Sequence, residues 1–194
     1  MMTMNDPLPG GGLLRKLWPT ETEAYRDHLL RLDAESRNTR FSGAVADEFI
    51  AKHAESIRDF GVIVHGFFVD GVLRGACELR PLGPLFGHEA EAAFSIEKDW
   101  QSHGVGTALL ERTLLSARNR GIRLLRMDCL AANRRMQQLA RKFEADFTFD
   151  FGCVVGEVKA PRSTPLSIAR EVMADAQDMT SAMFDAQLRL FHAA

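Results

Sequence analysis

The sequence predicts an α/β (α+β) fold with a mixed central β-sheet, flanking helices and a helical extension at the C-terminal end. Three observations carry this reading. Asp70-Gly71 stands between two apolar, β-branched runs, Gly61–Val69 and Val72–Arg80, the pattern of a tight antiparallel hairpin. Glu91–Ile96 follows as a third strand of the same meander. From Gly104 the pattern changes to helix, strand, helix and strand, so a crossover joins the antiparallel start.

The remaining elements follow in order. Met1–Gly12 is a Gly/Pro-rich leader, expected to be mobile. Leu13–Trp18 is a short apolar strand, and Thr20 with Glu23 makes a capping box for a helix running to about Ala34. Ala46–Phe60 fits a second helix with Phe49, Ile50, His53 and Ile57 on one face. Pro81–Gly87 reads as a loop. Gly104–Arg120 is a helix stopped by Gly121, with Arg118 and Arg120 suiting its negative end. Arg123–Leu130 is a strand, Asn133–Phe143 a helix, and Phe147–Val158 one or two closing strands. After a break at Pro161–Pro165, Ser167–Phe191 has the spacing of an amphipathic helix. The expected organisation is a leader (1–12), one domain (13–160) and a C-terminal amphipathic helix (161–194).

Composition narrows the function. Hydrophobic residues are 46% and charged residues 26% of the 194, the profile of a globular chain with a core. A net charge of −2 removes the electrostatic case for a dedicated nucleic-acid binder. No apolar run is long enough to span a membrane, and no signal-peptide pattern opens the chain, so a cytoplasmic protein is expected. Cys77, Cys129 and Cys153 form no Cys-x-x-Cys motif and are expected as buried free thiols. No His/Asp/Glu pair has metal-ligand spacing, so no metal is expected.

The stretch that carries chemistry is Glu91 to Thr107. A strand ends, a polar loop follows, and Gly104 and Gly106 open a helix. Unpartnered N–H groups of a helix's first turn and its positive dipole end make a pyrophosphate cradle. Gly-x-Gly alone also occurs in tight loops that bind nothing.

Gln101-x-x-Gly104-x-Gly106 resembles the Q/R-x-x-G-x-G/A signature of the GNAT superfamily, the acyl-CoA N-acyltransferases. Ala90–Ile96 looks like that family's fourth strand, and Asn133-x-x-Met136-x-x-Leu139 resembles its second, Asn-led cofactor motif. The element order is also the family's. The resemblance implies a fold in which the fourth strand splays from the fifth, with the pantetheine arm of acetyl-CoA in the gap. Cofactor contacts are then expected from the backbone of Phe94, Ser95 and Ile96, from Gln101, Ser102, His103, Gly104, Val105, Gly106 and Thr107 around the pyrophosphate, and from Asn133. Glu91 matches the strand acid that deprotonates the amine. The family's common tyrosine acid falls seven residues after the Asn, where this chain has Ala140, and its closing Gly-Phe is Glu144-Ala145. The only tyrosine is Tyr25.

The implied activity is transfer of an acetyl group from acetyl-CoA to a primary amine, on a small molecule or a protein lysine, by direct attack on the thioester. One alternative is a non-catalytic acyl-CoA sensor or scaffold, given Ala140. A remoter one is an NAD-dependent oxidoreductase. It rests on Gly104-x-Gly106 with Asp128 about twenty residues on, against Leu109 at the third glycine position. Glu48, Glu89, Glu91 and Asp128 are candidates for an acidic acceptor pocket. Arg134 and Arg135 are placed to reach CoA phosphates or to form a solvated basic face. Trp100 is expected to pack, His103 to lie exposed, His65 to be half-buried, and Met173, Met179 and Met183 to fill a helix face. The apolar residues of 167–191, including Ile168, Val172, Phe184, Leu188, Leu190 and Phe191, favour a homodimer contact through this helix.

Overall fold

A computed structural model describes the chain over residues 8–83, 87–150 and 152–192, the side chains of 150 and 183–192 excepted. A seven-stranded mixed sheet forms the centre, in the order β1-β2-β3-β4-β5-β7-β6. The strands are β1 (Leu13–Lys16), β2 (Ile63–Val69), β3 (Val72–Leu82), β4 (Glu89–Ile96), β5 (Leu124–Leu130), β6 (Asp146–Asp150) and β7 (Cys153–Lys159). Every neighbouring pair is antiparallel except β4 with β5.

The β2–β3 hairpin turns where the sequence places it. Asp70 and Gly71 both have positive φ, 50° and 72°, the mirror-image turn that matches strand twist. The helices are α1 (Thr22–Arg31), α2 (Ala34–Phe41), α3 (Asp47–Glu55), α4 (Val105–Asn119), α5 (Arg134–Lys142) and α6 (Pro165–His192). Helix α1 and helix α3 pack one face of the sheet around Leu29, Ile50, Ala54, Val64 and Phe68. Helix α4 covers the other face through Val105, Leu109 and Leu110, against Phe67, Leu79, Ala92 and Leu125.

Several expectations are corrected. Helix α2 has no counterpart in the sequence reading, because none of its residues is buried and no apolar period marks it. Its N-terminal signal is Asp33, whose carboxylate accepts the Ser36 N–H at 2.9 Å. The entry to α1 is held by Glu21 instead of a Thr20–Glu23 box: its carboxylate accepts the Trp18 N–H at 3.0 Å and pairs with Arg15. Strand β3 continues through Pro81 and Leu82, which were assigned to a loop. Cys153 is exposed, while Cys77 and Cys129 are buried. His65 is fully buried, its Nε2 lying 3.1 Å from Ser116 Oγ.

Helix α6 is docked by its polar side. Ser116 and Asn119 of α4 donate to the Glu171 carboxylate, and Arg120 pairs with it. Arg112 meets Asp175 and Asp178, and Asp178 also accepts the Lys16 N–H of β1 at 2.9 Å. Met173 and Met179 face solvent at 67% and 54% exposure instead of filling a packed face. Met183 and the apolar residues after it lie outside the described side chains. Within the segment read as a leader, residues 1–7 are outside the described residues. Pro9–Gly11 form a short 3-10 turn against Trp100.

Candidate active site

The sheet forks at Glu91. Strands β4 and β5 pair through only three rungs, Glu89–Leu124, Ala90–Leu125 and Glu91–Arg126. Beyond them β5 continues along β7 to Leu130, and β4 continues along β3 to Ile96. From Ala92 to Ile96, the β5-facing edge of β4 has no ladder partner among the described residues.

The glycine loop stands at the open end of this fork. After β4 the chain makes a 3-10 turn, Lys98–Trp100, and then enters α4. Gly104 is the N-cap of α4 at φ 84°, a conformation that disfavours any side chain. Ser102 is also left-handed, at φ 64°. No side chain caps α4, so the N–H groups of its first turn are left for another partner. Val105 is buried in the core and Thr107 half-buried, while Ser102 and His103 are exposed. Gly106 sits against Leu139 and Ile96. Trp100 packs edge-on to Phe67, as its apolar neighbourhood requires.

Gln101 ties the loop to three elements. Its Nε2 donates to Ile96 O at 2.8 Å and to Ser36 Oγ of α2 at 3.1 Å, and its Oε1 accepts from Arg135 of α5. Asn133 is the N-cap of α5, its Oδ1 accepting the Met136 N–H at 3.1 Å. Phe94 and Ile96 turn toward the core on the α4 side, and Ser95 turns the other way, to His28 of α1. His28 is buried, which lowers its imidazole below the ordinary histidine pKa, and it lies against Ser95 Oγ at 2.9 Å and Glu97 at 3.1 Å. Arg31 and Arg74 also pair with Glu97, so the end of β4 is anchored by a closed ionic network.

Glu91 is half-buried. Burial, with Asp128 beside it, raises its carboxyl above the usual carboxylate range, while Arg40 and Arg80 oppose that rise. It lines a cavity of about 70 Å³ with Arg40, His53, Glu78, Arg80 and Ala93. Glu78 is the centre of this group, with a side chain only 2% exposed. Its Oε2 receives Tyr25 Oη at 2.9 Å, Arg40 Nη2 at 2.8 Å and His53 Nε2 at 3.0 Å. Its Oε1 receives Arg80 Nε and Nη2 at 3.0 and 2.6 Å. These donors hold Glu78 well below the usual carboxylate range despite its burial.

The acidic pocket read from the sequence is therefore corrected. Glu48 and Glu89 are exposed and do not line the cavity, whose wall carries two arginines and a histidine beside its acids. The sequence reading assigns no site role to Arg40, Glu78 or Arg80 and places His53 only on a helix face. Two of these chains sit on helices whose placement over the sheet no local pattern specifies. Glu78 had one signal, a lone acid among apolar residues on a strand. Ala140 is buried and lies against Gly156, and Tyr25 donates to Glu78.

A mixed sheet split at its one parallel pair, with an uncapped helix end after the split, is the fold of the acetyltransferase structures that this chain resembles. The sequence model of the Acetyltransferase (GNAT) family matches residues 14–144, and the chain belongs to that family. The search of curated proteins found no match. Among solved structures, the GNAT domain of Streptomyces lividans PAT is similar at TM-score 0.69 and 24% identity, over 79% of this chain and 94% of that one. YncA from Salmonella typhimurium, a putative acetyltransferase solved with its cofactor acetyl-CoA, matches at TM-score 0.58 and 17% identity, over 79% of this chain and 96% of that one. A cAMP-binding acyltransferase from Mycobacterium smegmatis matches at 0.60 and 19%, over 91% of this chain and 54% of that one. A doubly wound, parallel dinucleotide-binding sheet is excluded by the antiparallel meander, which removes the oxidoreductase alternative.

Proposed function

We propose that the protein transfers an acetyl group from acetyl-CoA to a primary amine, with Glu91 as the base. The observation that carries the reading is the fork itself. It supports the reading because a half-buried acid and an unpaired strand edge both lie on β4 at the split, and the chain leaving β4 leads into an uncapped helix N-terminus.

Acetyl-CoA supplies an activated thioester carbonyl. The N–H groups from Ser102 to Thr107 hold its pyrophosphate, the Gln101 N–H being bonded to Lys98 O, and the free edge of β4 at Phe94, Ser95 and Ile96 pairs with the amides of its pantetheine arm. Asn133 at the start of α5 contacts the cofactor arm, and Arg135, bonded to Gln101, stands beside the glycine loop. An ammonium has no lone pair, so Glu91 takes a proton before the amine attacks. Its raised pKa suits it to that transfer. Backbone N–H groups at the fork stabilise charge on the carbonyl oxygen. With Ala140 where a tyrosine acid is common, the thiolate leaves without a tyrosine proton. A thiol pKa of about 8.5 makes that departure feasible in water.

Ala140 also favours a second reading, a domain that binds acyl-CoA without turning it over. Consumption of acetyl-CoA against a broad panel of amines, with product masses, tests the first reading. Thermal stabilisation by CoA without turnover of any amine supports the second.

Two further parts belong to the same proposal. The three free thiols fit a reducing compartment such as the cytoplasm. Ile168, Val172 and Met179 form an exposed apolar stripe on α6 beside its docked polar side. A second copy related by a two-fold axis presents the same stripe, so the occupant we assign to it is another protomer.

A further inference from the structure

We infer that the acceptor is an amine carrying a carboxylate near its nitrogen, an amino-acid-like zwitterion, with Arg40 receiving the carboxylate while Glu91 receives the amine. The inference rests on the acetyltransferase reading and extends it to the substrate's chemistry.

The first argument is charge. Two guanidinium groups, from Arg40 and Arg80, converge on the single carboxylate of Glu78 at 2.6–3.0 Å. His53 and Tyr25 already take up part of the same carboxylate. With Glu91 ionised, the two guanidinium groups and the two carboxylates of the cavity wall balance. When Glu91 accepts the amine proton its negative charge disappears, and one positive charge is left in excess within a low-dielectric pocket. A substrate carboxylate offsets it. A plain alkylamine or a lysine side chain has no group to do so.

The second argument is donor capacity. Arg80 is largely committed, to Glu78, to Ser56 Oγ at 2.7 Å and, more weakly, to Asp59. Arg40 is not. Its side chain is only 8% exposed, its Nη2 serves Glu78 and lies 3.2 Å from His53 Nε2, Tyr25 is a further neighbour, and its Nε has no partner among the described residues. A buried guanidinium N–H without an acceptor is costly, and a planar fork of donors matches a carboxylate. Glu78, Tyr25 and His53 hold this guanidinium at the cavity wall. They are positioning residues in this arrangement.

The third argument is placement. Arg80 and Glu91 are direct cross-strand partners on β3 and β4, and Arg40 lines the same cavity as both, so Arg40 and Glu91 meet on one side of the sheet. That side opens toward the fork where the thioester is held under the proposed function.

The test pairs each amino acid with its methyl ester and its decarboxylated amine, in an acetyl-CoA consumption assay with the full chain. A lysine peptide with blocked termini is included. We expect kcat/KM for the amino acid to exceed that of its ester and its amine by tenfold or more. Arg40→Met and Arg40→Lys should erase most of that preference while CoA still stabilises both folded variants. Equal rates across each set, or a preference for the peptide, overturn the inference and leave the acetyltransferase reading intact. Failure to bind CoA overturns both. If CoA binds but no amine turns over, thermal stabilisation by the N-acetyl amino acid against its methyl ester makes the same comparison, and equal stabilisation overturns the inference.

Discussion

Glu91 and Arg126 form the last rung that β4 and β5 share, and the sheet parts immediately beyond them. The acid thus stands at the apex of a wedge. Its backbone is fixed by β3 on one side and β5 on the other, while its side chain borders open space. Under the proposed function, an acid held that rigidly needs little reorganisation to meet an incoming amine.

Replacing Glu91 with Gln should lower kcat by about 10²-fold with CoA affinity nearly unchanged. Wild-type rate should rise with pH through the raised Glu91 pKa, and that acidic limb should vanish in the variant. A stability effect accompanies it. A carboxyl whose folded pKa is raised disfavours the fold once ionised, so the variant should be more stable than wild type above the folded pKa. The difference should fade below about pH 4, where both states are protonated. Thermal unfolding across pH checks the sign, and a Gln variant with normal rate and profile would leave Glu91 as a strand residue only.

Gly104→Val should weaken CoA binding by at least tenfold, about 1.4 kcal/mol. Its φ of 84° is strained for a branched residue, and the added side chain blocks backbone approach at the first turn of α4. Calorimetric titration with CoA on the folded variant reads the effect. Unchanged affinity would remove the loop from the proposed site.

Glu78→Leu should destabilise the protein by about 3–5 kcal/mol, since Arg40 and Arg80 lose the acid that compensates them in a buried setting. The pH dependence runs opposite to that of Glu91. Glu78 has a lowered folded pKa, so its contribution is present above about pH 4.3 and is lost as pH falls below it. Denaturant midpoints measured from pH 7 to pH 3 should fall more steeply for wild type than for Glu78→Gln.

Val172→Glu with Met179→Glu should turn a dimer into a monomer in light scattering with little change in thermal stability, because both side chains are exposed on α6. A wild-type protein already monomeric at high micromolar concentration would reject the dimer.

The hairpin, the glycine loop and the helix after Asn133 were legible because each has a local signal: two positive-φ residues at a tight turn, a left-handed N-cap, and a side-chain cap. The half of the site that faces the acceptor was not. Arg40 comes from a helix with no buried residue, and His53 from one whose face was read as apolar. Their meeting with Glu78 spans 25 and 38 residues of sequence. Nothing short of tertiary packing specifies such an encounter. The outward face of α6 was hidden for a related reason. Its apolar stripe gives the spacing of a helix face, and charges elsewhere on the helix decide which side turns inward.

The bond from the Lys16 N–H to Asp178 has a consequence for solubility. Strand β1 ends the sheet, and an open strand edge is a template on which another chain can add a strand. Helix α6 lies along that edge, and its aspartate occupies a donor that an invading strand would need. The last helix is therefore a guard rail for the sheet. A chain shortened before Pro165 should grow into edge-to-edge polymers with rising cross-β signal, where loss of a dimer contact alone would leave quiet monomers.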